Sequence, residues 1–178
     1  MPLSSAGHVH RTAVGRPSTD RWSAVVTSTR LRPAAATDAE FLYSMASDAT
    51  VMRWVGDGKP WTRTCFDGRF NRALATTDLD TPDLPMWSIG VEDAVPVGVL
   101  SLIRRADHVE VGYWVHPEHW GCGCAGRMLG QARETVGNLA SVATVARGNA
   151  ASQRVLEKAR FTVVHDGDPL TYRRSPSS

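Results

Sequence analysis

Residues Val109–Gly126 read VEVGYWVHPEHWGCGCAG, and the architecture can be built outward from them. The stretch opens with alternation: Val109, Val111, Tyr113 and Val115 fall on one face of a strand, Glu110, Gly112, Trp114 and His116 on the other. Pro117 ends the strand. Gly121, Gly123 and Gly126 then lead into a helical pattern with Ala125, Met128, Leu129, Ala132 and Val136 on one side. A strand, a glycine loop and a helix can bind an anion. The first amides of a helix lack acceptors, its dipole is positive there, and glycines let the backbone close on a phosphate. The same glycines also suit a tight turn that binds nothing. They satisfy the dinucleotide fingerprint G-x-G-x-x-G as well. That fingerprint needs an acidic residue about 20 positions later, whereas residues 138 to 148 are NLASVATVARG, without a carboxylate. The residues that follow are also too few for a doubly wound sheet.

Two motifs carry a more specific likeness. The run GYWVHPEHWGCGCAG, Gly112–Gly126, followed by NAASQRVLEKARF, Asn149–Phe161, resembles the GNAT superfamily of acyl-CoA-dependent N-acetyltransferases. It is most similar there to the branch that includes acetyltransferases of ribosomal-protein N-termini, with its pattern GYW-x-x-P-x-x-WG-x-G-x-A and then N-x-x-S-x-x-x-L-x-K-x-GF. The segment TSTRLRPAAATDAEFLYSMASDATVMRWVGDGKPWT, Thr27–Thr62, is similar to the opening of the same branch, so the resemblance spans about residues 25 to 174. The departures are Cys122, where a basic or amide residue is common, Gly126 and Arg127 in place of a hydroxyl and an acidic residue, and Arg160 in place of the glycine before Phe161.

The resemblance implies an α/β fold: a single-domain, mostly antiparallel mixed sheet with one splayed parallel pair and helices on both faces. It implies acetyl-CoA as co-substrate, with the acyl-pantetheine lying where the strand of Glu110 and the strand Ala140–Val145 splay apart. Backbone amides near Trp114 and Val115 would hold the pantetheine and the acetyl oxygen, and Asn149 the pantetheine arm. The pyrophosphate would sit on Gly121, Cys122, Gly123, Cys124, Ala125 and Gly126, with Arg127 returning the positive charge that Cys122 lacks.

The chemistry requires an amine to be deprotonated, a thioester carbonyl polarised and a thiolate protonated. Glu110 matches an acidic position of the branch and is the favoured base, directly or through a water; otherwise it faces solvent or pairs with an arginine. His116 and His119 are weaker candidates on an exposed loop. Ser152 matches the family's serine for thiolate protonation, yet a serine in the first turn of a helix can simply support the cap. Trp54 and Trp61 flank a glycine-containing loop where the family places its acceptor, while Trp87 and Trp114 suit core or rim packing.

The wider composition fits this frame. The 178 residues are 42% hydrophobic and 21% charged, enough for one domain with a real core. A net charge of +2 gives no reason to expect nucleic-acid or membrane binding, and no apolar run suits a membrane span. Residues 1 to 24 lack a signal-peptide core and read as a mobile tail, residues 25 to 174 as the domain, and 175 to 178 as a short end. Cys65, Cys122 and Cys124 are odd in number, and two lie too close to pair, which suits a reduced, cytoplasmic protein. His116, His119, Cys122 and Cys124 spell H-x2-H-x2-C-x-C, zinc-ligand types on one loop, but the spacings depart from the usual forms and no metal is expected.

Pattern places a first strand over Val25–Arg32, a helix capped by Thr37 and running to Ser47, and a helix near Thr64–Ala75 behind Pro60 and Thr62. After a polar loop, Met86–Glu92, Val95–Arg104 and His108–Val115 read as an antiparallel meander. Ala140–Val145 then follows the central helix as a parallel strand, Asn149 caps a last helix, and Phe161–His165 with Leu170–Arg174 close a hairpin. The expected function is direct acetyl transfer to a primary amine of a small molecule or a peptide N-terminus, with a homodimer left open. An acyl-CoA-binding protein of the same fold without turnover, or a zinc protein, are the rival readings.

Overall fold

The computed structural model describes residues 28–176; the expected tail 1–24 and the start of the expected first strand, residues 25–27, lie outside the described residues. Seven strands form one sheet: β1 Arg30–Pro33, β2 Pro85–Glu92, β3 Val95–Arg104, β4 His108–Val115, β5 Ala140–Val145, β6 Thr162–His165 and β7 Leu170–Arg174. Their spatial order is β1-β2-β3-β4-β5-β7-β6, with every neighbouring pair antiparallel except β4 and β5. Five helices accompany them: α1 Ala39–Ala46, α2 Ala49–Met52, α3 Arg63–Leu74, α4 Cys124–Val136 and α5 Ala150–Lys158.

The period-two pattern of the strands divides the core between the two faces. On one face Leu100, Leu102, Val109 and Val111 meet Leu129, Ala132 and Val136 of α4 and Leu156 of α5. On the other, Trp87, Ile89 and Val99 meet Leu42, Met45 and Ala46 of α1 and Phe66, Phe70 and Ala73 of α3. Helices on both faces and a mixed sheet agree with the sequence expectation.

Local differences have physical causes. Thr37 does not cap the first helix. It lies in a 3-10 turn, Ala36–Asp38, and α1 begins only at Ala39. The neighbouring Asp38 instead accepts from Ala35 N at 2.8 Å and pairs with Arg32 at 2.6 Å. Burial would raise its carboxyl, but those hydrogen bonds hold it below the usual range. The short helix α2 is nucleated by Asp48, whose side chain accepts from Thr50 N and Val51 N.

Arg160, which stands where the resembling branch has glycine, keeps the glycine-like backbone, with φ of 65° just beyond α5. A left-handed conformation costs an L-residue roughly 1–2 kcal/mol, partly offset by the greater unfolded-state freedom of glycine. Arg160→Gly is therefore expected to stabilise the fold by up to about 1 kcal/mol, read as a higher urea midpoint with an unchanged denaturant slope.

Candidate active site

The parallel pairing of β4 with β5 is short. It runs His108 with Ala140, Val109 with Ser141 and Glu110 with Val142, and then stops, although both strands continue. The gap beyond Glu110 opens a cleft of about 900 Å³, bounded by β4, β5, the glycine loop and the start of α5. On its other side β4 stays paired to β3 as far as Val115 with Gly98, and His116 N donates to Val97 O at 2.9 Å.

That last bond fixes the phase of the ladder. In an antiparallel pair every second residue turns its N–H and C=O toward the partner strand, so Gly112 and Trp114, in phase with His116, give their amides to β3. Tyr113 and Val115 turn theirs toward the gap. The Val115 carbonyl there accepts the Trp120 indole N–H at 2.7 Å. Of the two amides expected at this point, Val115 faces the cleft, and the Trp114 amide belongs to the ladder.

The floor of the cleft is the glycine loop. Gly121 and Gly123 have φ of 77° and 81°, the left-handed region that glycine alone adopts without strain. Gly123 is the N-cap of α4, and the first helical bond is donated by Arg127 N to Gly123 O at 3.2 Å. The amides of Cys124, Ala125 and Gly126 precede that bond and have no acceptor within the helix. Gly126 is thus the third residue of the helix and not part of the turn.

Of the expected catalytic and coenzyme-binding residues, all but Cys122 and Arg127 line this cleft; His119 and Trp54 line it too, whereas His116 and Trp61 do not. Cys122 is exposed, its thiol toward Trp120 O. Arg127 is drawn away: its guanidinium pairs with Glu92 at 2.6 Å and donates to Thr29 Oγ1 at 2.8 Å. Burial would raise the Glu92 carboxyl, but hydrogen bonds from Thr29 and Arg127 outweigh it and hold the group below the usual range. Cys124 is buried beside this pair, and burial followed by Glu92 pushes its thiol up, away from the thiolate that a metal would need. Among the described residues no group of three or more His, Cys, Asp or Glu side chains could hold a metal ion. His116 stacks on Phe41, with ring centroids 5.9 Å apart.

At the α5 side, Asn149 Oδ1 accepts from Ser152 N at 3.1 Å and so caps the helix. Ser152 Oγ lies 2.7 Å from Tyr113 Oη. Burial pushes the Tyr113 hydroxyl up to about 12, so it keeps its proton at neutral pH. This partnership is absent from the sequence reading, which placed Tyr113 with the apolar residues of its face; its only signal was a polar end on an otherwise apolar stripe. Glu110, on the opposite face, is held by Arg105 Nη2 at 2.7 Å. Trp54 reaches across from the end of α2 to Gly148, where a Cβ would lie 3.0 Å from its ring.

A sequence model of the acetyltransferase (GNAT) domain matches residues 29–162. The chain belongs to the GNAT acetyltransferase family. A search of curated proteins gives no significant match. Among solved structures, the fold is similar to spermidine N-acetyltransferase from Vibrio cholerae in complex with CoA and spermine. The TM-score is 0.68 at 16% identity, over 82% of this chain and 93% of that one. An aminoglycoside acetyltransferase in complex with coenzyme A gives 0.68 at 14% identity, over 83% and 95%. A GNAT-family acetyltransferase from Bacillus anthracis gives 0.67 at 19% identity, over 85% and 96%.

A second cavity of about 720 Å³ adjoins the cleft of this GNAT domain on the α1 and α3 side of the sheet. The two share Ser101, Ile103 and Gly112–Trp114. Gly112 has no side chain to close the junction; a Cβ there would meet only Ser101 Cβ, at 3.9 Å. Among the described residues no helix is long and apolar enough to cross a membrane.

Proposed function

We propose that this GNAT chain transfers an acetyl group from acetyl-CoA directly to a primary amine, of a small molecule or of a peptide N-terminus. The observation that carries the reading is the splay of β4 from β5 after Glu110 and Val142, which opens onto the unbonded amides of Cys124, Ala125 and Gly126. These amides and the left-handed Gly123 fit a pyrophosphate, since loop and helix start offer donors and no obstructing side chain. The Val115 amide suits the acetyl oxygen and would stabilise the negative charge that develops there. Asn149, at the cleft wall, suits the pantetheine arm.

The amine nitrogen attacks the thioester carbonyl carbon, its proton passes to Glu110 directly or through a water, and the carbon–sulfur bond breaks. The departing sulfur then takes a proton by way of Ser152. Tyr113 acts as a positioning residue: when its hydroxyl donates to Ser152 Oγ, 2.7 Å away, the serine proton is left to face the cleft. Tyr113→Phe keeps the ring and removes this bond, so kcat should fall by up to about tenfold with little change in the acetyl-CoA KM. Were Ser152 only a helix-cap residue, Tyr113→Phe and Ser152→Ala would lower the melting temperature and leave kcat intact.

Two observations bear on the alternatives. The resemblance to the branch acting on ribosomal-protein N-termini supports a peptide acceptor, while the cavity beside Gly112 supports a small one. The Arg105–Glu110 ion pair favours a second reading, acyl-CoA binding without turnover, in which the carboxylate is structural. Following thiol release from acetyl-CoA over a panel of amines and N-terminal peptides tests the proposal: amine-dependent release supports it, and tight acetyl-CoA binding with no amine-dependent release favours the second reading.

A further inference from the structure

The second cavity carries more information than its position, because its lining is chemically uneven. Trp61, Trp87 and Trp114 form one wall, with Trp61 and Trp87 edge-on to Trp114 at centroid distances of 5.1 and 5.8 Å. The charged groups that line it are Lys59, Arg69, Arg72, Asp57 and Asp83. Asp83 is already paired with Arg105. None of the ion pairs among the described residues involves Lys59, Arg69 or Arg72. Three cations therefore line it beside one carboxylate that is in no ion pair, Asp57, whose Oδ1 accepts from Lys59 N at 3.2 Å.

The arrangement follows from the sequence of α3. Phe66, Phe70 and Ala73 turn into the core, while Cys65, Arg69 and Arg72, four and three residues apart, share the stripe that faces the cavity. Arg69 also stacks on Trp61, with its guanidinium carbon 4.5 Å from the ring centroid. It thereby occupies the ring face that would attract a ligand ammonium, and leaves its N–H edge free to donate. A polycation entering here would meet an excess of positive charge and an aromatic face already taken. An anionic group would meet guanidinium donors suited to bidentate contact.

We infer that the acceptor is a small primary amine that also carries an anionic group, a carboxylate or a phosphate, held by Arg69, Arg72 and Lys59 while the tryptophans enclose its apolar part. The inference rests on the acetyltransferase reading above. It separates this chain from the polyamine and aminoglycoside acetyltransferases of similar fold, whose named amine ligands, spermine and kanamycin, are cationic.

Matched amines test it: tryptophan against tryptamine for a carboxylate, phosphoethanolamine against ethanolamine for a phosphate, with spermidine and an acidic N-terminal peptide as further acceptors. Acetylation is followed with acetyl-CoA in the wild type, in Arg69→Gln/Arg72→Gln, in Arg72→Gln alone and in Arg63→Gln. Comparing each ratio between wild type and variant cancels the intrinsic difference in amine basicity. The wild type is expected to favour the anionic member of at least one pair by tenfold or more in kcat/KM. The double variant should lose that preference through KM, and Arg72→Gln should lose part of it. Arg63→Gln, whose guanidinium is tied to Glu40 and Asp67 outside the cavity, should keep it. A preference for tryptamine, ethanolamine or spermidine, or for the peptide over every small anionic amine, overturns the inference and leaves acetyl transfer standing. So does an anionic preference that the folded double variant retains. Acetyl-CoA binding with transfer to none of the acceptors removes the acetyltransferase reading, and this inference with it.

Discussion

A Gly123→Val variant is expected to remain folded and to lose acetyl-CoA affinity by about tenfold or more in isothermal titration. Gly123 sits at φ 81°, and a side chain there would be strained whatever the space around it. The strain of an L-residue in this region is roughly 1–2 kcal/mol and is greater for a β-branched one. A Cβ would also lie 3.0 Å from Arg127 Nη1, so the guanidinium would have to give by a few tenths of an ångström. The loop relieves both effects by leaving the left-handed turn, and that turn sets the direction of the Cys124, Ala125 and Gly126 amides. Since 1.4 kcal/mol corresponds to tenfold in affinity, the strain alone accounts for a loss of that order. Unchanged affinity in a variant with a normal melting temperature would show that the loop does not hold the coenzyme.

Glu110→Gln should have the larger effect on turnover, a fall of roughly 100-fold or more, with acetyl-CoA affinity nearly unchanged. Glu110 shares its face of the sheet with Gly112 and with Ile103, its direct cross-strand partner, and this is the face on which the second cavity lies. It is thus on the side of β4 proposed for the acceptor, whereas Tyr113 and Ser152 meet on the other. The arrangement would separate the proposed base from the group proposed to serve the departing sulfur. Glutamine keeps the size and a hydrogen bond to Arg105 but cannot take the amine's proton. Loss of the ion pair is a minor matter for stability, because both side chains are partly exposed, at 34% and 44%. If the carboxylate only anchors Arg105, turnover with a high-pKa amine stays within a few-fold of wild type from about pH 6 to about pH 9, and Glu110 leaves the mechanism.

The strands β2 to β4 and both long C-terminal helices were legible because their apolar periods are long enough to be unambiguous: eight to ten residues per strand, and a regular inner stripe on α4. Helix α2 was not, since four residues carry no period and its only announcement is Asp48. The cleft itself was visible only through motif likeness. No local pattern states that β4 and β5 part after Glu110; the register does. The site's polar partnerships join residues far apart in the chain, Tyr113 with Ser152, Arg127 with Glu92 and Thr29, so their choice is made by packing. Arg127 shows this most plainly. At the first turn of a helix it reads as a phosphate ligand, yet the buried carboxylate of Glu92 needs a cation more than the solvated loop does. Trp114 shows the opposite case: the alternation already contained its phase, and only the knowledge of which neighbour ends first assigned its amide to the ladder.

The most direct test of the central claim is a crystal structure of the chain with bound acetyl-CoA. The thioester is expected between β4 and β5, its carbonyl oxygen roughly 2.7–3.1 Å from the Val115 amide, and the pyrophosphate on the amides of Cys124, Ala125 and Gly126. Coenzyme bound elsewhere on the sheet, or a pyrophosphate away from the start of α4, would contradict it.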